Sequence, residues 1–184
     1  DHPAVGGRRR LARALARRRI IAAIGIGSPI DGELGAICRD LGRIAIEAGF
    51  RIATGGLGGV MEAVSLGAHE SPRYREGDVI GILPSYDGAT ANPHVDIVIP
   101  TGLGIARNVV LVSTADVVVA IGGGSGTLSE LAVAWQLGKP IIAIAPSGGW
   151  AQTLAGQAID ERARDRIREA SDGAEAVGIA LELL

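Results

Sequence analysis

The chain has 184 residues, a net charge of −2 and a hydrophobic fraction of 47%, which fits one domain with a sizeable core. Seven arginines lie between residues 8 and 19, and without them 11 basic residues stand against 20 acidic ones. Because nucleic-acid binding needs a basic face, this acidic body argues against a nucleic-acid partner. No apolar run approaches the roughly 18 residues of a membrane span, so no membrane partner is expected.

Cysteine and histidine are too sparse to suggest a metal site or a disulfide framework. Cys38 is the only cysteine, and a lone cysteine favours a reducing, cytoplasmic compartment. His69 and His94 show no spacing to other ligands that is typical of a metal centre. We therefore predict no bound metal.

The arginine-rich segment at the start of the chain differs in composition from everything after it. We interpret residues 1–19 as a basic N-terminal extension, solvated and flexible, and residues 20–184 as a single Rossmann-like ligand-binding domain. Leu11 and Leu15 stand at helical spacing, which leaves open a short basic helix for targeting or for contact with an anionic surface.

From residue 20 onward, strand and helix patterns alternate along the chain. The first half predicts strand Ile20–Ile26, helix Asp31–Ala48, strand Phe50–Ala53, helix Val60–Glu70, strand Val79–Leu83, a loop over Ser85–His94 and strand Asp96–Ile99. The second half predicts helix Leu103–Thr114, strand Asp116–Ile121, helix Thr127–Leu137, strand Pro140–Ala145, a loop or weak helix over residues 147–157, an exposed helix over Ile159–Glu169 and a last helix over Ala174–Leu183.

This alternation indicates the fold class. Continuously apolar strands are typical of parallel sheets buried on both faces, and right-handed crossovers place the intervening helices over those faces. The sequence therefore predicts an α/β, Rossmann-like, doubly wound domain with a mainly parallel sheet and helices on both faces.

Three glycine-rich turns follow predicted strands, at Gly25–Ser28, Gly55–Gly59 and Gly122–Gly126. In an open parallel sheet, ligands bind outside the carboxyl ends of the strands. We therefore expect these turns to share one ligand crevice. The candidate binding residues in the first two turns are Gly27, Ser28, Gly55, Gly56, Gly58 and Gly59.

The third turn carries the strongest signal for an anion. It follows a buried strand and opens a helix, so free backbone N–H groups and the helix dipole point at whatever binds there. No lysine follows the glycines, which excludes the Walker phosphate loop. The predicted phosphate-binding residues are Gly123, Gly124, Ser125, Gly126 and Thr127.

Two charged residues near this turn each have two interpretations. Arg107 is either part of a surface salt bridge or a bidentate ligand for phosphate or carboxylate. Glu130 is either a surface carboxylate that complements the helix dipole or a carboxylate that faces a ribose-like polyol or a water. Asn108 follows Arg107 and is a further candidate ligand.

The segment Gly122–Glu130, with Arg107 upstream and the turn Thr54–Met61, resembles the Lonely-guy-like superfamily, many of whose members were first labelled lysine-decarboxylase-like. The hallmark of that superfamily is Pro-Gly-Gly-x-Gly-Thr-x-x-Glu with an upstream arginine. Here Gly122 stands in place of the proline. The resemblance extends over roughly residues 20–184 and implies a Rossmann-like fold.

Within that superfamily the sequence of the glycine turns is most similar to that of the molybdenum cofactor carrier proteins and their bacterial relatives. This branch implies a protein that binds a phosphorylated heterocycle, a nucleotide or a molybdopterin-type compound, with the molybdenum cofactor as possible cargo. The hydrolase branch implies instead a phosphoribohydrolase of nucleoside 5′-monophosphates, with Arg107 and Glu130 as its catalytic pair. Hydrolases have Arg-Lys where this chain has Arg107 and Asn108. A nucleotide sensor without catalysis is a third alternative.

The resemblance also implies a homo-oligomer, either a dimer or a tetramer, and Trp135 is a candidate residue for its contact. A lysine decarboxylase is not predicted. Pyridoxal chemistry needs a Schiff-base lysine, and the only lysine, Lys139, falls in a turn between a predicted helix and a predicted strand.

Overall fold

A computed structural model describes residues 17–161 and 166–184. The strands in these residues are β1 (Ile20–Gly25), β2 (Arg51–Thr54), β3 (Val79–Leu83), β4 (Ile97–Pro100), β5 (Val117–Ile121), β6 (Ile141–Ile144) and β7 (Arg168–Ala170). The α-helices are α1 (Gly32–Glu47), α2 (Val60–His69), α3 (Arg107–Thr114), α4 (Ser125–Gln136), α5 (Gly149–Leu154) and α6 (Gly173–Leu183). None of these helices is long and apolar enough to cross a membrane.

The strands form one sheet in the order β4-β3-β2-β1-β5-β6-β7, and every neighbouring pair is parallel. The chain winds outward from β1 to β4, returns to the centre at β5 and winds the other way to β7. The predicted α/β Rossmann-like fold is thus confirmed. The winding reverses between β1 and β5, where Gly25 pairs with Ile121, and such a switch point is where open sheets bind ligands.

The core has two layers, one on each face of the sheet. Ile21 and Ala23 of β1 pack with α1, α2 and α6. Ile20, Ala22 and Ile24 pack on the opposite face with α3, α4 and α5. Because both faces are covered, the central strands β1, β5 and β6 are apolar along their length, and burial of each large side chain contributes about 1.5–3 kcal/mol.

Helices α1 and α2 pack closely against each other because each has a glycine at the contact. A Cβ atom on Gly42 would lie 2.0 Å from the carbonyl oxygen of Val64, and one on Gly67 would lie 2.0 Å from that of Arg39. These two glycines therefore hold α2 against α1. Because α2 begins at Val60, directly after the glycine turn at residues 55–59, this packing also fixes the position of that turn.

The predicted helix over Ile159–Glu169 is wrong at its carboxyl end, where Arg168–Ala170 form strand β7 beside β6. Charged residues suit such an edge strand because their side chains reach solvent, while Ile167 and Ala170 enter the core. Trp135 packs inside the same subunit, where its Nε1–H donates to Asp160 Oδ1 at 2.7 Å. Its indole is 5% exposed, so it is not a surface contact.

Three arginines of the predicted N-terminal extension contact the amino-terminal edge of the sheet. Arg17 donates to both carboxylate oxygens of Asp116, at 2.7 and 2.8 Å. Arg18 donates to Asp78 and to the carbonyl oxygen of Phe50. The remaining part of that predicted segment, residues 1–16, lies outside the described residues.

Candidate functional site

A crevice of about 350 Å³ opens at the carboxyl ends of β1, β2 and β5. The three glycine turns meet there, as the positions of their strands in the sheet require. Of the predicted site residues, those that line it are Gly27, Gly55, Arg107, Asn108, Gly124, Ser125, Gly126, Thr127 and Glu130.

The other predicted residues support the crevice from behind. Gly59 has φ +63°, and a Cβ atom there would lie 2.4 Å from the carbonyl oxygens of both Ile26 and Ser28. The second turn therefore packs backbone to backbone on the first, with Gly58 close to the carbonyl oxygen of Gly27, while Gly56 lies against Gly81 and Leu83 of β3. Ser28, Gly56 and Gly58 do not line the crevice. Gly123 precedes the lining residue Gly124 and leaves room for the Thr127 side chain, because a Cβ atom on Gly123 would lie 2.4 Å from Thr127 Cβ.

The start of helix α4 is open toward the crevice. Its N-cap residue is Gly124, which has no side chain to cap the helix, and the first helical bond runs from Leu128 N–H to Gly124 O at 3.0 Å. Among the described residues, no hydrogen bond satisfies the N–H groups of Ser125, Gly126 and Thr127. Three free donors at the positive end of a helix dipole form a binding site for an anion.

The turn before α4 is held by residues that the sequence did not single out. Gly122 N–H donates to Ser147 Oγ at 2.6 Å. Trp150 N–H donates to the carbonyl oxygen of Gly123, and Ala151 N–H to that of Gly122. Gly122 has φ +58°, which proline cannot adopt, and proline would also remove the N–H donated to Ser147. The glycine that replaces the hallmark proline is therefore required by this turn.

Asn108 joins helix α3 to helix α4 across the crevice. Its Nδ2 donates to Ser129 Oγ at 2.7 Å, and the Ser129 hydroxyl donates to the carbonyl oxygen of Gly126 at 2.7 Å. This chain of bonds fixes the anion-binding turn relative to Arg107, which precedes Asn108 on α3.

Arg107 and Glu130 form a buried pair on the wall of the crevice. Arg107 Nη1 donates to Glu130 Oε1 at 3.2 Å, with 12% of the arginine and 7% of the glutamate side chain exposed. The guanidinium occupies the space that a side chain on Gly55 would fill, because a Cβ there would lie 2.5 Å from both Nη atoms. The surface interpretations of both residues are therefore wrong.

Glu130 is buried in the second turn of α4. The helix begins at Ser125 instead of the predicted Thr127, and the Glu130 side chain faces inward. Burial raises the pKa of the Glu130 carboxyl to about 7, although the charge of Arg107 opposes this shift. Burial also lowers the pKa of the Arg107 guanidinium, and Glu130 offsets this only in part.

An apolar floor completes the crevice, and the sequence interpretation missed it. Met61 is 6% exposed and places its Cε beside Gly27. Apolar residues at strand ends look like core in a sequence, and only their position at the switch point brings them to the ligand. The lining residues not predicted are Ala23, Ile24, Gly25, Ile26, Leu57 and Met61.

Two other reactive side chains lie away from the crevice. Lys139 Nζ donates to the carbonyl oxygens of Ala115 at 2.6 Å and Ser113 at 3.2 Å, at the end of α3. Cys38 is fully buried in α1, and burial raises the pKa of its thiol to about 12. A Schiff base on Lys139 would break both bonds, and the Cys38 thiol stays protonated and inert.

Comparison with known proteins places this geometry in a family. Residues 18–177 match the model of the SLOG cluster4 family. The chain belongs to this family. An uncharacterised protein of Archaeoglobus fulgidus is 40% identical over 126 residues, which cover 68% of this chain and 80% of that relative. The predicted resemblance to Lonely-guy-like, lysine-decarboxylase-like proteins is confirmed.

Two solved structures of carrier and binding proteins are similar along nearly their full length. The molybdenum cofactor binding protein of Rippkaea orientalis is 33% identical, with a TM-score of 0.78, over 91% of this chain and 98% of that one. The molybdenum cofactor carrier protein of Chlamydomonas reinhardtii is 29% identical, with a TM-score of 0.75, over 90% and 98%. Both comparisons support a ligand-binding role for the SLOG cluster4 chain.

Proposed function

We propose that this SLOG cluster4 protein binds a phosphorylated heterocycle and holds it without chemical change, with the molybdenum cofactor as candidate cargo. The observation that carries the proposal is the uncapped start of α4, where the N–H groups of Ser125, Gly126 and Thr127 face a crevice that also contains Arg107. A phosphate group supplies the acceptor oxygens that these donors need.

The shape of the crevice supports a ligand with an apolar ring beside its phosphate. Leu57 and Met61 line the side that faces the glycine turns, and flat heterocycles bind well between apolar side chains. The volume of about 350 Å³ lies at the lower end of the range for small-molecule sites. The similar structures named for molybdenum cofactor binding and carriage support the same class of ligand.

The alternative is a phosphoribohydrolase of nucleoside 5′-monophosphates, and one observation favours it. Arg107 and Glu130, the pair implied by the resemblance, are in contact inside the crevice. A carboxylate there could steady positive charge on a ribose and orient water. Against this alternative stands the turn at Gly122, whose φ of +58° and bond to Ser147 differ from what a proline turn allows.

Purified protein tests the two functions together. Thermal unfolding is measured with AMP, GMP and a phosphorylated pterin, and native mass spectrometry of freshly purified protein records any ligand that remains bound. The carrier function predicts stabilisation by at least one compound. It also predicts no release of free base from AMP or N6-modified AMP above a Glu130→Ala control. Base release that the control lacks would establish the hydrolase, and no stabilisation by any compound would exclude the carrier.

We also propose that the protein is a homo-oligomer whose subunits meet at the β4 edge of the sheet. This edge has no strand beside it among the described residues, and its apolar side chains are continuous with those of the segment that leads into α3. A concentration of exposed apolar side chains is typical of a protein interface. Its exposed side chains are Tyr86, Ile97, Val98, Ile99, Leu103, Ile105 and Val109.

Light scattering coupled to size-exclusion chromatography measures the assembly. Ile105 is 75% exposed, so Ile105→Asp should convert the oligomer to monomers without unfolding them. Leu181→Asp, on the exposed side of α6, is the matched control and should leave the assembly intact. A wild-type monomer, or equal effects of both substitutions, would refute this interface.

A further inference from the structure

We infer that the crevice binds its phosphate ligand together with one proton, which Glu130 takes up when Arg107 turns from the carboxylate to the phosphate. The inference rests on the proposed binding of a phosphorylated ligand and adds how that binding is regulated. No covalent bond other than the carboxyl O–H forms: the solvent supplies the proton, and the Glu130 carboxylate becomes a carboxylic acid.

Glu130 has one charged partner in the part of the chain that the structure describes. Arg107 Nη1, at 3.2 Å, is its hydrogen-bond donor among the described residues. The elements around the carboxylate offer only uncharged groups besides: the Asn108 amide on α3, the Ser125 and Thr127 hydroxyls on α4, Met61 on α2 and glycine or apolar residues on β1 and after β2. Within residues 17–161 and 166–184, Arg107 alone therefore balances the charge of Glu130.

Arg107 also faces the anion site. Both Arg107 and the free N–H groups of Ser125–Thr127 line the same crevice. Beyond the bond to Glu130, the guanidinium makes no hydrogen bond to the described residues. A dianionic phosphate at the start of α4 attracts this guanidinium more strongly than a single carboxylate does, because its charge is larger and its oxygens accept a bidentate pair.

Glu130 cannot keep its charge once Arg107 also pairs with the phosphate. Its side chain is 7% exposed, and an unpaired carboxylate at such burial is so unfavourable that the group takes up a proton instead. The bound phosphate adds repulsion of the same sign. The raised pKa of Glu130, about 7, shows that only a small change in surroundings is needed near neutral pH.

Isothermal titration calorimetry with AMP as the probe tests the inference. Titrations at about pH 8, where the AMP phosphate is already a dianion, are run in two buffers of different ionisation enthalpy. The difference in heat gives the number of protons taken up. We expect close to one proton for the wild type and none for Glu130→Gln, which keeps the shape of the side chain and cannot titrate.

The pH dependence of affinity supplies a second measurement. Linkage predicts that the Kd of the wild type rises by about tenfold per pH unit above pH 7, whereas the Kd of Glu130→Gln stays nearly constant. Binding of AMP with no proton uptake, or with equal uptake by the variant, would overturn this inference and leave the proposed function standing. If neither protein binds AMP with measurable heat, both the proposed function and the inference fail for nucleoside monophosphates.

Discussion

Buried carboxylates lie at both edges of the sheet, but their hydrogen bonding differs. At the amino-terminal edge, Asp96 accepts bonds from the Tyr74 hydroxyl and from the N–H groups of Gly77 and Val79. Asp116 accepts two bonds from Arg17 and one from Ile20 N–H. At the carboxyl-terminal edge, Glu130 accepts a single bond of 3.2 Å from Arg107.

The comparison separates residues that stabilise the fold from residues available to a ligand. A carboxylate with several fixed donors is stable in its charged form and holds strands in register. A buried carboxylate with one donor costs stability unless a ligand or a proton changes its surroundings. Loss of a positively charged partner at the amino edge should therefore lower stability, whereas loss of Arg107 at the carboxyl edge should mainly weaken binding.

Loss of Arg18 should give the largest effect on stability. Asp78 is 1% exposed and pairs with Arg18, so Arg18→Ala leaves an almost unpaired buried charge and should lower the free energy of unfolding by about 3 kcal/mol. Urea unfolding measures the change, with ligand affinity expected to stay constant. Arg39→Ala, which removes a surface pair with Glu70, should cost far less, and equal losses would contradict the comparison.

Loss of Arg107 should give the opposite result. Arg107→Ala should weaken phosphate-ligand binding by roughly ten- to a hundredfold, the value of a charged hydrogen bond. It should change the free energy of unfolding by less than about 1 kcal/mol, because Glu130 can take up a proton when its partner is gone. Calorimetry and urea unfolding of the same preparation check both. A large loss of stability with unchanged affinity would show that the pair is structural.

The pH dependence of stability should show that burial disfavours the charged form of Glu130. The pKa of Glu130 is raised to about 7 in the fold, so its contribution is complete below the unfolded pKa of about 4.3 and is lost as pH rises through 7. Between pH 5 and 8 the wild type should lose on the order of 2 kcal/mol relative to Glu130→Gln. Parallel unfolding curves for both proteins across this interval would contradict the assignment.

The smallest change in stability should come from Asp116, at the amino-terminal edge of the sheet, and should appear at acidic pH. Burial alone would raise the pKa of Asp116, but hydrogen bonds from Arg17 and Ile20 N–H outweigh it and lower that pKa. Its contribution is thus present above the unfolded pKa and lost as pH falls through the folded one. Asp116→Asn should flatten the acid limb of stability by less than about 1 kcal/mol, since solvent screens Arg17. Acid titration followed by circular dichroism measures this limb.

The sequence predicted the site better where backbone chemistry decides the outcome than where side-chain packing does. Glycines after strands were visible because few other residues permit those conformations, and the helix start that follows the third glycine turn was predicted to within two residues. Ser147 and Met61 were missed because neither belongs to a local pattern. Ser147 reaches Gly122 only after β6 pairs with β5.

Some elements were ambiguous for the same reason. Charged residues near Arg168 have no apolar period, so an exposed helix and an edge strand look alike in the sequence. These residues form a strand because they pair with β6 at the edge of the sheet. Likewise, the sequence left a surface carboxylate open for Glu130, and only the packed fold shows that its side chain is buried.

The order of apolar strands and glycine-ended turns was enough to specify a parallel α/β sheet and an anion site at one helix start, because these follow from short-range periodicity and backbone geometry. The tertiary structure alone decided that Arg107 lies against Gly55 and pairs with Glu130. Only the tertiary structure also determined that the Glu130 carboxylate accepts a single hydrogen bond, whereas Asp96 and Asp116 each accept several. Burial and charge pairing depend on segments far apart in the chain, and only the packed fold brings these together.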